Sequence, residues 1–134
     1  MICKRLHHIG IILPDIRTVQ AFMEQYGLEA DGEGETPYQA HCIFTKAKDN
    51  ESPIEFLIPT GGPLKAFNEG RGGLHHICLE VEDIEQATNE LHAMGCKLLE
   101  DEAKIAERNV KVNFIRPSSS WGVLVELMEL PHPQ

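Results

Sequence analysis

Four polar side chains interrupt four apolar segments of this 134-residue chain, and their types are those found at metal centres. His8 and His76 lie in LHHIGIIL and LHHICLEV, while Glu55 and Glu126 lie in IEFLIP and VELMEL. A carboxylate buried among aliphatic side chains is costly unless a cation or a hydrogen-bond donor accompanies it. Two imidazoles and two carboxylates suit a borderline or moderately hard divalent ion and leave positions for water or substrate. The pattern therefore predicts a catalytic metal site.

The two histidine segments are copies of one another. Residues 6–16 read LHHIGIILPDI, residues 74–84 read LHHICLEVEDI, and six of the eleven positions are identical. The same residue types at matched places in both halves strengthen the metal hypothesis, because packing alone gives no reason for such a match. Side chains alternate along a strand, so His7 and His75 face away from their neighbours His8 and His76. Periodicity alone leaves open which histidine of each pair faces inward.

The elements that must position these residues also repeat. Each histidine pair opens an apolar strand, and Asp15 or Asp83 then provides a helix N-cap. Gly27 and Gly95, each 19 residues after the second histidine, end the two helices. The apolar faces at helical spacing are Ile16, Val19, Phe22, Met23 and Tyr26 in the first helix and Ile84, Ala87, Leu91 and Met94 in the second.

The remaining segments complete two βαβββ modules, at about residues 5–60 and 73–130 of a single domain spanning 1–134. Further strands are expected at 39–46, 54–58, 110–115 and 123–128, with another beginning at 96–99. Loops or turns are expected at 29–37, 48–53, 60–63 and 117–122, a short helix at 64–69 and a hinge at 70–73; residues 101–107 have no clear pattern.

Composition limits the functional classes. The formal net charge of −9 argues against nonspecific nucleic-acid binding, which needs clustered Lys and Arg. The four cysteines form no CxxC pair, and Cys42 and Cys78 lie in apolar runs, so they are expected to be buried, reduced thiols. No apolar run has membrane-spanning length, and MICKRLHH lacks the apolar core of a secretory signal. These features favour a cytoplasmic protein without membrane partners.

The quoted segments resemble the vicinal oxygen chelate superfamily, the glyoxalase/bleomycin-resistance fold, over nearly the whole chain. The resemblance implies an α+β fold in which two βαβββ modules form a curved, mainly antiparallel sheet around one divalent metal ion. It assigns the ligand positions to the second histidine of each pair, His8 and His76, and to Glu55 and Glu126. The ion could be Co, Mn, Ni, Zn or Mg.

Within the superfamily, LHHICLEVEDI and VNFIRPSSSWGVLVELME are most similar to the methylmalonyl-CoA epimerases. That resemblance implies an isomerase that acts through a metal-stabilised enolate on an acyl-CoA thioester, and many family members are homodimers. Glu126 is then a candidate acid or base, and Glu55 or His41 could be the second. Arg116 or Arg108 could receive a carboxylate or phosphate of the substrate.

The sequence departs from the epimerase pattern at three places. These departures bear on the identity of the substrate more than on metal binding. Arg116-Pro117 stands where epimerases commonly have His-Pro, and EAKIAERNV contains no glycine where they often have a glycine-rich loop. His41 occupies a position at which some members carry a glutamate. Two alternatives therefore stay open: a glyoxalase I-like lactoylglutathione lyase, and a metal-free ligand-binding module of the drug-resistance type.

Overall fold

The computed structural model describes Met1 and residues 3–132, and it contains both βαβββ modules. The first module consists of β1 (Cys3–Ile12), α1 (Ile16–Tyr26), β2 (Ala30–Glu35), β3 (Ala40–Thr45) and β4 (Ile54–Pro59). The second consists of β5 (Gly73–Val81), α2 (Ile84–Ala93), β6 (Lys104–Ile105), β7 (Lys111–Ile115) and β8 (Val125–Glu129). Short 3-10 segments lie at Pro63–Gly70, Glu107–Asn109 and Pro117–Ser119.

The chain forms two compact units, which we call the first unit (residues 8–75) and the second unit (residues 1–7 and 76–134). In the first unit the strand order is β2-β3-β4-β1, and in the second it is β5-β8-β7-β6. The pairs β1–β4 and β5–β8 are parallel, whereas the other described pairs within the units are antiparallel. The α+β class and the mainly antiparallel pairing are therefore confirmed.

Both helices begin as the sequence predicts. The Asp15 carboxylate accepts hydrogen bonds from the Thr18 backbone N–H and hydroxyl, each at 2.8 Å, and the backbone bond is the main reason that the pKa of Asp15 is lowered. Asp83 accepts from the Gln86 N–H at 3.0 Å in the same way. Gly27 ends α1 in the left-handed conformation that a glycine adopts without steric cost.

Each helix covers one face of its own unit. Val19 of α1 packs with Ile11, Ile43 and Phe56 in the first unit. In the second unit the buried core comprises Val81, Ile84, Ala87, Leu98, Ile115, Val125 and Leu127. Met94 was predicted to lie on the apolar face of α2, but it does not join this core. The helix ends at Ala93, and Met94 is 71% exposed.

Three segments differ from their predicted structure. Residues 30–35 form β2 rather than a loop, because pairing with β3 satisfies their backbone and outweighs their polar, glycine-rich composition. Residues 96–99 do not form a regular strand, although Leu98 makes an isolated bridge to Ile115. The expected helix at 64–69 is interrupted at Phe67, Asn68 and Glu69, which have non-helical backbone angles.

The fold requires a glycine at Gly72, in the glycine-rich connection between the modules. Its φ is +77°, and a Cβ at this position would lie 2.2 Å from the carbonyl oxygen of Ile12. Only glycine fits such a close approach of two backbones.

The four cysteines carry thiols rather than disulfides, and Cys42 and Cys78 are buried as expected. No helix in the described part of the chain is long and apolar enough to cross a membrane.

Candidate metal centre

The first unit holds a buried imidazole–carboxylate pair. His8 lies on β1 and Glu55 on the adjacent β4, where the register aligns Glu55 with Gly10. Because side chains two residues apart share a face, His8 lies on the face that carries Glu55. His8 Nε2 is 3.3 Å from Glu55 Oε1, and the two residues are only 1% and 8% exposed. A rigid pair of parallel strands therefore positions both donor groups.

The second unit holds the same pair. His76 lies on β5 and Glu126 on the parallel strand β8, which aligns Glu126 with Cys78. His76 Nε2 is 3.1 Å from Glu126 Oε1, and the residues are 6% and 8% exposed. The match between the units extends from residue type to strand register and burial.

A phenylalanine that the sequence pattern does not single out accompanies each pair. Phe44 is aligned with Glu55 across β3 and β4, and its ring lies edge-on to that of His8 with centroids 5.3 Å apart. Phe114 is aligned with Glu126, and its ring meets that of His76 edge-on at 5.4 Å. Each pair with its phenylalanine is called a trio below. Comparison of the third strand of each module would have revealed this third repeated position.

The distances within each pair suit neighbouring ligands of one metal ion. Donor atoms bound at about 2.0–2.2 Å in tetrahedral or octahedral geometry lie about 2.8–3.6 Å from each other. The 3.3 Å and 3.1 Å separations fall within this range. A protonated imidazole that donates to a carboxylate would have a similar separation, so metal analysis is the measurement that separates the two cases.

The second histidine of each repeated pair is the buried one. His8 and His76 are buried, whereas His7 and His75 are half-buried. The His75 ring packs edge-on against that of Phe67 with centroids 5.0 Å apart. His75 therefore provides a natural control one residue from a candidate ligand.

Burial of a carboxylate is not by itself a sign of metal binding in this protein, because Glu80 and Glu129 are buried as well. Glu129 accepts a hydrogen bond from the Ile84 N–H at the start of α2, at 2.9 Å. Glu80 lies 3.4 Å from the ammonium group of Lys4. Both carboxylates thus have a structural partner of a kind that differs from the imidazole–carboxylate pairs.

His41 lies on a different face from Glu55. The register of β3 and β4 aligns Phe44 with Glu55 and His41 with Ile58, and strand alternation places His41 on the opposite face from Phe44. Its Nε2 is 2.8 Å from Glu33 and its Nδ1 is 2.6 Å from Glu35. These hydrogen bonds raise the pKa of His41. The register argues against the catalytic role that the sequence suggested for His41.

The two candidate substrate-binding arginines lie at opposite ends of β7. Arg116 follows its last residue, is exposed, and donates its backbone N–H to the Lys97 carbonyl oxygen at 2.8 Å. Arg108 lies before β7 in the 3-10 segment, with a φ of +60°. Arg116 is two residues from Phe114 of the second trio, so it is the better placed of the two.

The family model of the glyoxalase/bleomycin resistance protein/dioxygenase superfamily matches residues 7–114. The chain belongs to this superfamily. The fold and the family resemblance inferred from the sequence are therefore confirmed.

Relatives within the superfamily narrow the assignment. The chain is 33% identical over 128 residues to the mitochondrial methylmalonyl-CoA epimerase of Bos taurus. The matched region covers 92% of this chain and 73% of the relative. It is 34% identical over 132 residues to the ethylmalonyl-CoA/methylmalonyl-CoA epimerase of Cereibacter sphaeroides, covering 94% and 98% of the two chains. This superfamily member is an epimerase-like enzyme.

A solved structure supports the same comparison. Methylmalonyl-CoA epimerase in complex with methylmalonyl-CoA and ammonium superposes with a TM-score of 0.86 at 25% identity, covering 96% of each chain.

Proposed function

We propose that this superfamily member is a divalent-metal-dependent epimerase of methylmalonyl-CoA or a closely related acyl-CoA thioester. The observation that carries the proposal is the same buried His–Glu pair in both modules of a chain that is 33% identical to a named methylmalonyl-CoA epimerase. The chemistry is removal of the proton from the carbon between the thioester and carboxylate groups by a base, followed by delivery of a proton to the other face of that carbon by an acid.

In this proposal His8, Glu55, His76 and Glu126 hold one ion. Imidazole and carboxylate ligands suit Co, Mn, Ni and Zn, and Mg is the hard extreme of the range. When bound, the ion supplies Lewis-acid stabilisation of the negative charge on the enolate oxygen. The burial of the four side chains supports this role, because charge stabilisation is stronger where water is excluded.

The protein must also provide an acid and a base. We assign Glu126 to one of these roles and Glu55 to the other, each through the carboxylate oxygen that does not ligate the ion, because both carboxylates are buried on a strand face that also carries a candidate histidine. A buried carboxylate can exchange a proton with a substrate carbon when the two are held in contact. We leave His41 out of this assignment, because the strand register supports a place on the opposite face from Glu55.

The remaining features are inferred from chemistry and resemblance. Arg116 is proposed to receive the carboxylate or a phosphate of the substrate, as its charge and its place beside the second trio suggest. A single domain, a homodimeric assembly and a cytoplasmic location complete the proposal, and the thiol state of the cysteines agrees with a reducing compartment.

The test is α-proton exchange in deuterated water. Purified protein reconstituted separately with Co, Mn, Ni, Zn and Mg is incubated with methylmalonyl-CoA, ethylmalonyl-CoA or the hemithioacetal of methylglyoxal and glutathione. We expect deuterium at the α-carbon of an acyl-CoA substrate with at least one ion, and loss of exchange after chelation. Lactoylglutathione formation without acyl-CoA exchange would instead identify a glyoxalase, and inactivity with all ions would reject the enzymatic proposal.

A further inference from the structure

The single tryptophan of the chain, Trp121, is presented to solvent in an unfavourable backbone conformation. It is 98% exposed, and its φ is +51°, in the left-handed region that bulky residues rarely occupy. Packing does not explain this residue, because almost none of its surface is covered. Such a combination of strain and exposure is typical of residues retained for binding.

The loop that carries Trp121 is well held. We call residues 116–124 the tryptophan loop. Within it, the backbone N–H groups of Ser120 and Gly122 both donate to the Pro117 carbonyl oxygen, at 3.0 Å and 2.9 Å. The Ser119 hydroxyl accepts from the Lys97 N–H at 2.7 Å. These hydrogen bonds hold the backbone on both sides of Trp121, which lowers the backbone entropy lost on binding.

Two cations flank the loop. Arg116 begins it, and Lys97 is joined to it by the Arg116 N–H and the Ser119 hydroxyl. Both are exposed, and within the described part of the chain neither forms an ion pair. In a protein of net charge −9, a loop that combines an exposed aromatic ring with two cations outside ion pairs is suited to a planar base attached to phosphates.

The tryptophan loop also lies next to the strand ends that carry His76, Phe114 and Glu126. The Leu124 carbonyl oxygen accepts from the Ile77 N–H at 3.3 Å, next to His76. Arg116 lies two residues beyond Phe114, which is aligned with Glu126. The loop therefore borders the strand ends that carry the second trio.

We propose that Trp121, Lys97 and Arg116 form the subsite for the adenine nucleotide of the acyl-CoA substrate. The indole stacks on the purine, and the two cations contact its phosphates. This inference rests on the proposed acyl-CoA chemistry, and it adds a specificity-determining residue that acts away from the reacting carbon.

The protein supplies its own reporter, because Trp121 is the only source of tryptophan fluorescence. Titration with CoA and with adenosine 3′,5′-bisphosphate should quench this fluorescence saturably, whereas pantetheine should not. Lys97→Met combined with Arg116→Met should weaken nucleotide affinity at least tenfold and flatten its salt dependence. Lys48→Met, which removes an exposed cation of the first unit, is the matched control and should leave the titration unchanged.

A kinetic comparison tests the same subsite in catalysis. Trp121→Ala should reduce the preference for the CoA ester over the corresponding pantetheine ester, measured as a ratio of kcat/KM, by about tenfold. Trp121→Phe should restore most of it, and Ile105→Ala, which truncates another exposed apolar residue of the second unit, should leave it unchanged.

Three results would overturn the proposal: no quenching by either nucleotide, quenching that is insensitive to the double cation variant, or an unchanged ester preference in Trp121→Ala. Conversion of a dimer to a monomer by Trp121→Ala, with the ester preference retained, would identify Trp121 as a subunit contact. Saturable nucleotide quenching in a protein that fails the proton-exchange test would preserve the subsite and assign it to another CoA ester.

Discussion

The two modules carry the same trio in the same strand register but surround it differently. In both, a histidine on the first strand meets a glutamate on the last, and a phenylalanine of the third strand packs edge-on against the imidazole. The His–Glu distances differ by only 0.2 Å, from 3.3 Å in the first unit to 3.1 Å in the second. A parallel strand pair can thus reproduce the same donor geometry with different flanking sequence.

The second strand of each module is where the two diverge. In the first unit it is the six-residue β2, paired along β3 and held at its edge by His41 between two glutamates. In the second unit it is the two-residue β6, and the segment before it is held by the side chain of Asn113. A surface ionic contact thus holds the second strand of the first module, whereas a buried amide holds the corresponding segment of the second module.

The connection before the last strand differs as well. In the first unit it is a polar turn in which the Lys48 N–H donates to the Glu51 carboxylate at 2.9 Å. In the second unit it is the tryptophan loop. The two proposals therefore assign the ion ligands to repeated positions and substrate selection to unrepeated ones.

The largest expected effect comes from removing either imidazole. His8→Ala and His76→Ala should each abolish stoichiometric metal binding and lower the exchange rate by at least about 10³-fold, because each removes a direct ligand of the proposed ion. Elemental analysis and the exchange assay measure the two losses. If the modules serve one ion, the two variants should be equally affected.

The matched control is His75→Ala, which removes the neighbouring imidazole from the second repeat. It should keep the metal and most of the activity, with thermal unfolding used to verify folding. Loss of metal in only one of the two ligand variants would contradict a shared ion and would separate the roles of the modules.

The sequence predicts the trio's polar members and the helix ends because strong local signals specify them. Asp15 and Gly27 bound α1 by side-chain and backbone preferences that act within one turn. The doubled histidines and the two glutamates stand out against apolar strands. The phenylalanines carry a weaker signal, because an aromatic residue in a strand is ordinary and only its repetition in the third strand of both modules sets it apart.

The sequence fails where tertiary pairing outweighs local preference. Residues 30–35 have loop composition, yet β3 provides partners for their backbone. The face on which His41 lies depends on the strand register, and a one-residue change in register would reverse it. Trp121 gave no signal because its backbone angle and exposure are set by the turn around it.

A smaller effect should distinguish how the modules hold their second strand. Asn113 is 0% exposed; its oxygen accepts from the Glu100 and Phe114 N–H groups, and its amide donates to the Glu100 carbonyl oxygen. Asn113→Leu retains the side-chain volume but removes the amide. The Glu100 N–H, the Glu100 carbonyl oxygen and the Phe114 N–H then lose this hydrogen-bond partner. We expect a loss of about 2–4 kcal/mol in the free energy of unfolding, measured by urea denaturation.

Asn89→Leu on the exposed side of α2 is the matched control and should change stability by less than about 0.5 kcal/mol. Hydrogen exchange adds the local test: the Glu100 amide should lose protection in Asn113→Leu, while amides of β3 should keep theirs. A destabilisation spread equally over both units would contradict a tether that belongs to the second module.

The smallest effect concerns the His41 contact of the first module, and its signature is pH dependence. Glu33 and Glu35 raise the pKa of His41 above its ordinary value of 6.5, so the folded state binds the proton more tightly than the unfolded state. The stabilisation is therefore complete below about pH 6.5 and disappears as the pH rises through the higher folded pKa. His41→Gln should cost about 0.5–1 kcal/mol at pH 6 and clearly less at pH 9.

Urea denaturation of the native and His41→Gln proteins at both pH values measures this difference, and 0.5 M salt should reduce it at pH 6 because the contact lies near the surface. His92→Gln, which changes an exposed histidine of α2, controls for the general titration of imidazoles. Proton exchange in His41→Gln should stay within about threefold of the native rate at pH 7. A loss of several hundred-fold with unchanged stability would instead return His41 to the reaction, and the edge of the first module would then share the catalytic role assigned to the trios.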